Sequence, residues 1–268
     1  PDYNRDPAVA AREQWESQHM KYRLLDDSDP NLAFNRQLVK EKKGTYVVRV
    51  PRSRTDLIAS FQKLIADAKK LYKEENDNLP RIYFDRHIYL PLLLHKDDSP
   101  LNATPPTLKK SEAQFVRDLK NYWLAEKNNI LKGKEVFLLR NLSRGKGIGF
   151  FEDRGFYPDF ILWIVEKKSQ RIVFVEPHGM IYAKPYINDV KAKLHEVLPV
   201  LANDIAASSK SKKQVLLDSY IVSATPYEEL HTRYDDGTWD RQKFIDKHIL
   251  FPDDNYIKII MEQQLAKV

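Results

Sequence analysis

Cysteine is absent from the 268 residues. That excludes disulfides, thiolate zinc sites and cysteine nucleophiles, and it fits a reducing compartment. Long apolar runs are absent too: none reaches the roughly 18 residues of a membrane-spanning helix. The start shows no basic segment followed by an apolar one, so no secretory leader is read there. The expectation is a cytoplasmic protein with no membrane partner. The first residue is Pro1 rather than Met, as expected of a processed or excised piece of a longer protein. Three well-known catalytic signatures are also missing. There is no G-x-x-x-x-G-K-[ST] phosphate loop, no G-x-S-x-G elbow and no H-E-x-x-H helix. Arg144-Gly145-Lys146-Gly147-Ile148-Gly149 is glycine-rich, but it lacks the strand-to-helix setting of a dinucleotide site.

What is present is core material. Hydrophobic residues make up 42%, aromatics 11% and charged residues 31%, the balance of a globular chain rather than a disordered one. The length allows one large domain or two small ones. The formal net charge of +6 suits a polyanionic partner, because Lys and Arg release counterions when they neutralise phosphates.

Periodicity divides the chain. Residues 1–26 read as a helix with a weak apolar face, and residues 26–31 as a break at Pro30. Tyr46 to Val50 reads as a short strand. A helix capped by Ser53 or Thr55 runs to about Lys73, and Glu74 to Leu79 is a loop. Residues 81–94 are strand-like. The polar, proline-rich stretch from Lys96 to Pro106 is the candidate boundary. Residues 1–100 are thus expected to form an α-rich extension with short strands, and residues 107–268 a second domain. In the latter a helix runs from Thr107 or Ser111 to about Lys127. Strands follow at 134–142, 156–165 and 171–177, then a helix at 188–202, a strand at 215–224 and a last helix at 253–267. Residues 143–149 and 208–213 read as basic loops. The order expected is helix, three strands, helix, strand: an α/β domain with a mixed central sheet.

One segment carries chemistry. Tyr157-Pro158-Asp159-Phe160-Ile161-Leu162-Trp163-Ile164 is followed by a polar turn at 166–170. Then comes Arg171-Ile172-Val173-Phe174-Val175-Glu176-Pro177-His178-Gly179. Both runs are nearly all apolar, so both should be central strands buried on two faces. Each ends in one carboxylate. With Lys167 and Lys168 at the hairpin tip, Asp159 falls opposite Glu176, and opposed Cβ atoms lie about 5 Å apart. Two carboxylates that close repel unless a cation joins them, and their hard oxygens suit Mg²⁺ or Mn²⁺. Glu176 and His178, two apart on a strand, face one side. The plainer reading is a pair of surface acids at strand ends.

Pro158-Asp159, a hairpin-length gap and Glu176-Pro177-His178 resemble the PD-(D/E)xK nuclease superfamily. More narrowly, Gly155 to Phe160 with Phe174 to Gly179 resembles nuclease regions attached to restriction-type DEAD/DEAH helicases. The resemblance covers about 107–225. It implies a restriction-endonuclease-like core and a metal-dependent DNA endonuclease module. The setting implied is a restriction or phage-defence system, with a helicase or translocase domain in the same longer protein. It also implies that Asp159 and Glu176 hold the metal, with Glu112 on the first helix a further acid. The plain alternative for Glu112 is a helix-start carboxylate favoured by the dipole. Asp118 reads as a solvated helix charge.

Where the family has lysine, this chain has His178. Three explanations stand: His178 does the work, Lys191 or Lys193 reaches in from the next helix, or activity is lost. The last would leave a module that binds nucleic acid or a protein partner without cutting. Arg140, Arg144 and Lys146 are candidate DNA-backbone contacts, or an ordinary solubilising loop. His87, His95, His195, His231 and His248 are scattered and read as structural or exposed.

Overall fold

The computed structural model describes residues 108–141, 157–208, 214–253 and 255–267, with short segments at 47–49, 53–56, 59, 81–82, 92–93 and 102–104. The helix expected over 1–26, the break at 26–31, the loops at 74–79 and 143–149, and Arg144, Lys146, His87 and His95 lie outside the described residues. So does most of the helix expected up to Lys73, although Thr55, Asp56 and Ala59 are helical.

The described residues divide into two compact units, one within 140–162 and 167–254, the other within 25–139, 163–166 and 255–268. In the second unit β1 (Val47–Arg49) pairs antiparallel with β4 (Asn102–Thr104). The proline-rich stretch at 96–106 is therefore more than a linker, since it contains a paired strand. β2 (Arg81–Ile82) and β3 (Leu92–Leu93) form another antiparallel pair. Helix α1 spans Lys110–Glu126. Its apolar residues Ala113, Phe115, Val116 and Leu119 recur at helical spacing and are all buried.

The elements after α1 follow the order expected from the sequence. They are β5 (Glu135–Arg140), β6 (Phe160–Val165), β7 (Ser169–His178), a 3₁₀ turn at Tyr186–Asn188, α2 (Val190–Ser208) and β8 (Gln214–Ser223). Three elements absent from the sequence reading then appear, α3 (Tyr227–Leu230), α4 (Arg241–Asp246) and β9 (Ile249–Leu250), before α5 (Tyr256–Ala266), the last helix expected at 253–267. The five-stranded sheet has the order β5-β6-β7-β8-β9. β7–β8 and β8–β9 are parallel pairs. β6 and β7 are joined by only Glu166 to Lys168, a link that suits an antiparallel hairpin. The sheet is thus mixed, and the class is α/β.

The long strands are buried as their apolar runs require. Phe160 to Ile164 are all buried, and so are Val173 to Pro177. β7 starts three residues before its apolar run, because Ser169, Gln170 and Arg171 are polar yet buried. Arg171 Nη1 donates to Ser169 Oγ at 3.2 Å, which meets part of the cost of burying them. Between β7 and β8 the chain crosses over through α2, which packs on β8. Pro199 sits inside α2 and removes one N–H from its ladder. The core on that side joins Met180, Tyr186, Ala192, Ile221, Leu230, Tyr234, Phe244, Ile249 and Phe251.

In the other unit α1 packs on α5. Tyr256 donates its hydroxyl to Asp118 at 2.7 Å, and Gln114 donates to the same carboxylate at 2.8 Å. Asp118 is thus an anchored acceptor rather than a merely solvated charge. No helix among the described residues is long and apolar enough to cross a membrane.

Candidate active site at the ends of the central strands

Glu176 sits near the C-terminal end of β7 and is 7% exposed. A carboxylate so placed must find partners, since an unpaired buried charge is costly. Each oxygen has one. Oε2 accepts the backbone N–H of Asp159 at 3.0 Å, and Oε1 accepts Lys191 Nζ at 2.7 Å. The first bond places Asp159, just before β6, beside Glu176, as the hairpin reasoning expects of strand-end neighbours. Asn141, just after β5, fixes the same corner. Its Nδ2 donates to the Pro158 carbonyl at 2.8 Å, and its backbone N–H to the Asp159 carbonyl at 2.8 Å.

Lys191 is on the first turn of α2. Asp189 caps that turn, its Oδ1 accepting the N–H of Ala192 at 3.1 Å. Of the two lysines singled out on this helix, Lys191 is the one that reaches Glu176. His178 lies on the same side of β7, with Nδ1 3.8 Å from Glu176 Oε1, beyond hydrogen-bonding distance. That nitrogen is buried and has no hydrogen-bond partner. Burial lowers the imidazole pKa below its usual value. Glu176 opposes the shift, and Lys191 adds to it. His178 is therefore neutral at neutral pH and able to take up a proton, whereas the ammonium is supplied by Lys191.

Glu112 is at the start of α1, where its Oε2 accepts the backbone N–H of Lys109 at 3.3 Å. That is the helix-start role, with Lys109 Nζ a further 3.9 Å neighbour. Arg140 closes β5 and is half-buried.

Among the described residues no three His, Asp or Glu side chains form a ready ligand set. The donor chemistry at the strand ends nevertheless fits a hard cation. Mg²⁺ is commonly held by one or two carboxylates with water completing its shell. Asp159 and Glu176 would be the two carboxylates, and the Pro177 carbonyl is a further hard oxygen on the strand of Glu176.

A second polar group of residues supports α2 from below. The Tyr186 hydroxyl donates to Glu196 Oε1 at 2.8 Å and lies 2.8 Å from His195 Nε2. One hydroxyl has one proton, so His195 Nε2 carries the other. Lys247 Nζ donates to Glu196 Oε1 at 2.7 Å and sits 4.7 Å over the Tyr186 ring. His195 stacks on His248 at 4.3 Å, and His248 stacks on Tyr220 at 4.4 Å. His248 Nδ1 faces Asp218 Oδ1 at 3.0 Å and the Ser219 carbonyl at 3.0 Å.

Burial, aided by His248, pushes the His195 pKa down to about 4. The hydrogen bond from Lys247 holds Glu196 below the usual carboxylate value, against desolvation. His195 and His248 are distant in sequence and gave no sign of meeting. The one legible hint was that His195 follows Lys191 by a helical turn, on the same face. No protein-family model, curated protein or solved structure matches the chain.

Proposed function

We propose that this chain is a divalent-metal-dependent deoxyribonuclease module that hydrolyses phosphodiester bonds. The observation that carries the reading is the arrangement around Glu176. A buried strand-end carboxylate is tied to the Asp159 amide on one oxygen and to the Lys191 ammonium on the other. Acids at adjacent strand ends with a lysine bonded to one of them are the chemistry that the PD-(D/E)xK resemblance asks for. The lysine comes from the next helix instead of from position 178.

In this reading Asp159 and Glu176 hold Mg²⁺ or Mn²⁺. Held there, such a cation would supply a water of lowered pKa and positive charge for the phosphate and the leaving oxygen. Lys191 supplies the fixed positive charge that orients the phosphate and offsets charge growing on it. His178 is neutral and partly exposed, with Nδ1 enclosed, so Nε2 is its available proton acceptor. Water adds to phosphorus and the bond to the 3′ oxygen breaks. The products are a 5′-phosphate and a 3′-hydroxyl. Arg140 and the basic loop after it serve the DNA backbone. A helicase or translocase partner within a restriction or phage-defence system belongs to the same proposal, on the strength of the sequence resemblance.

The test is incubation with plasmid and single-stranded DNA plus Mg²⁺ or Mn²⁺, beside Asp159→Ala and Glu176→Ala. Cleavage by the wild type, lost in both variants and in EDTA, is the expected result. DNA binding without metal-dependent cleavage would instead favour a binding module that kept the fold of a nuclease and lost its activity. The self-satisfied state of Glu176, with both oxygens already bonded within the chain, is the observation on that side.

A further inference from the structure

The chain between β7 and α2 runs from the candidate carboxylate to the candidate lysine, and it is fixed at two points. Met180 is buried, and its N–H donates to Thr225 Oγ1 at 2.9 Å. Tyr186 is buried, and its N–H donates to Asp235 Oδ1 at 3.1 Å. Between these anchors the N–H of Ala183 donates to the Met180 carbonyl at 2.9 Å, closing a β-turn. Its two central residues are Ile181 and Tyr182. Those corners ordinarily carry Gly, Asn, Asp, Ser or Pro. Here an aromatic ring stands 93% exposed at the corner, in a turn whose flanks are held. Ile187 follows at 70% exposure.

Lysines are spaced along the same stretch, with Asp235 the carboxylate bonded to its far anchor. Lys184 is exposed, and Lys191 and Lys193 open the helix that follows. The acid of this stretch, Asp189, accepts the N–H of Ala192 in capping α2. An exposed, pre-set aromatic beside lysines is what an unpaired base needs, since every base has a π-face and its phosphate needs a cation. A base inside an intact duplex offers its edges to a protein, and its face is covered by its neighbours.

We infer that Tyr182 is a stacking platform for an unpaired nucleobase, and that the strand entering the site is single-stranded or locally unpaired DNA. The position beside a scissile bond rests on the nuclease reading; the stacking itself does not.

The experiment uses the full chain in EDTA, so that nothing is cut. Binding of a labelled oligo(dT) is compared by anisotropy with binding of a blunt duplex of equal length. The single strand is expected to bind more tightly. Tyr182→Ala should weaken it about tenfold or more, Tyr182→Phe should preserve it, and duplex binding should change little. Oligo(dT) should also quench the emission of Tyr182→Trp relative to the wild type. Unchanged oligo(dT) affinity in Tyr182→Ala would overturn the inference. So would emission from the Tyr182→Trp variant that answers to protein concentration or to anionic vesicles but not to oligo(dT). The second result would assign the turn to a second copy or to a lipid surface. Tyr182-dependent binding without cleavage in Mg²⁺ or Mn²⁺ leaves this inference standing and removes the nuclease reading. Cleavage with no role for Tyr182 does the reverse. No binding of either DNA removes both.

Discussion

Lys191 Nζ lies 2.7 Å from Glu176 Oε1, and the lysine is far more exposed than the carboxylate it serves. The pair is therefore asymmetric: removing the lysine strands a buried anion. Lys191→Met is expected to cost about 1–3 kcal/mol in EDTA, the usual penalty for a buried polar group left unmatched. Mg²⁺ should return part of that loss, because a cation can take the place of the ammonium. Urea unfolding with and without Mg²⁺ checks both statements, and equal stability of variant and wild type would refute them. Under the proposed function the same variant loses cleavage by two orders of magnitude or more, on the order of what a charge-stabilising donor supplies.

The pH profile separates His178 from Lys191. Burial lowers the His178 pKa, so the ring stays neutral to a lower pH than a free histidine would. A base must be unprotonated to work. The acid limb of kcat/KM should therefore fall as pH drops through a value below 6.5, the ordinary value for the side chain. His178→Ala should remove that limb and lower the plateau by about 10²- to 10⁴-fold, the range for general-base groups. An unaltered limb in the variant would assign the titration elsewhere.

Tyr186 sets how α2 is turned about its axis, through bonds to His195 and Glu196. Lys191 is one helical turn before His195, so the same bonds set where the lysine points. Tyr186→Phe keeps the ring on Trp239 and removes the hydroxyl. A loss of about 1–2 kcal/mol is expected, since two bonded groups lose a partner. Acylation of Lys191, read by mass spectrometry against Lys184 as an internal reference, should become faster. An unchanged ratio would show that α2 is held by packing alone.

His195 gives a separate pH signature in stability. Its folded pKa of about 4 lies below the ordinary 6.5, so between those values the unfolded chain binds more protons. The stabilisation is complete above about pH 6.5 and is lost as pH falls towards 4. Glu196, whose own pKa is lowered, adds loss in the same direction at the acid end. Tm measured from pH 7 to 4 should fall less steeply in His195→Gln than in the wild type.

The sequence disclosed the parts of this site that depend on local pattern. Doubly buried strands show as unbroken apolar runs, and a lone carboxylate at the end of such a run stands out, as Asp159 and Glu176 do. It narrowed the lysine to two helix positions. Choosing between them needed the rotation of α2, which is set by Tyr186 and His195. The start of β7 was hidden because Ser169, Gln170 and Arg171 look like a turn although they are buried. The last helix, α5, was legible, but the part between β8 and α5 stayed blank for another reason. Its strand has two residues, and its helices α3 and α4 are too short to show a period.

That short strand has a consequence for the whole sheet. β8 is ten residues long, and β9 pairs with it at Ile221 and Val222. Asp218 lies on the same strand, buried and facing His248, the residue just before β9. An unpaired strand edge is a template for another chain, and a short cover with an inward-facing charge is one way to blunt it. A version trimmed before α4 would lose the cover and the histidine together. It would present an apolar edge with a buried acid that has lost its histidine, and it should collect as aggregate. The segment between β8 and α5, silent in the sequence, would then be the part that keeps the molecule to itself.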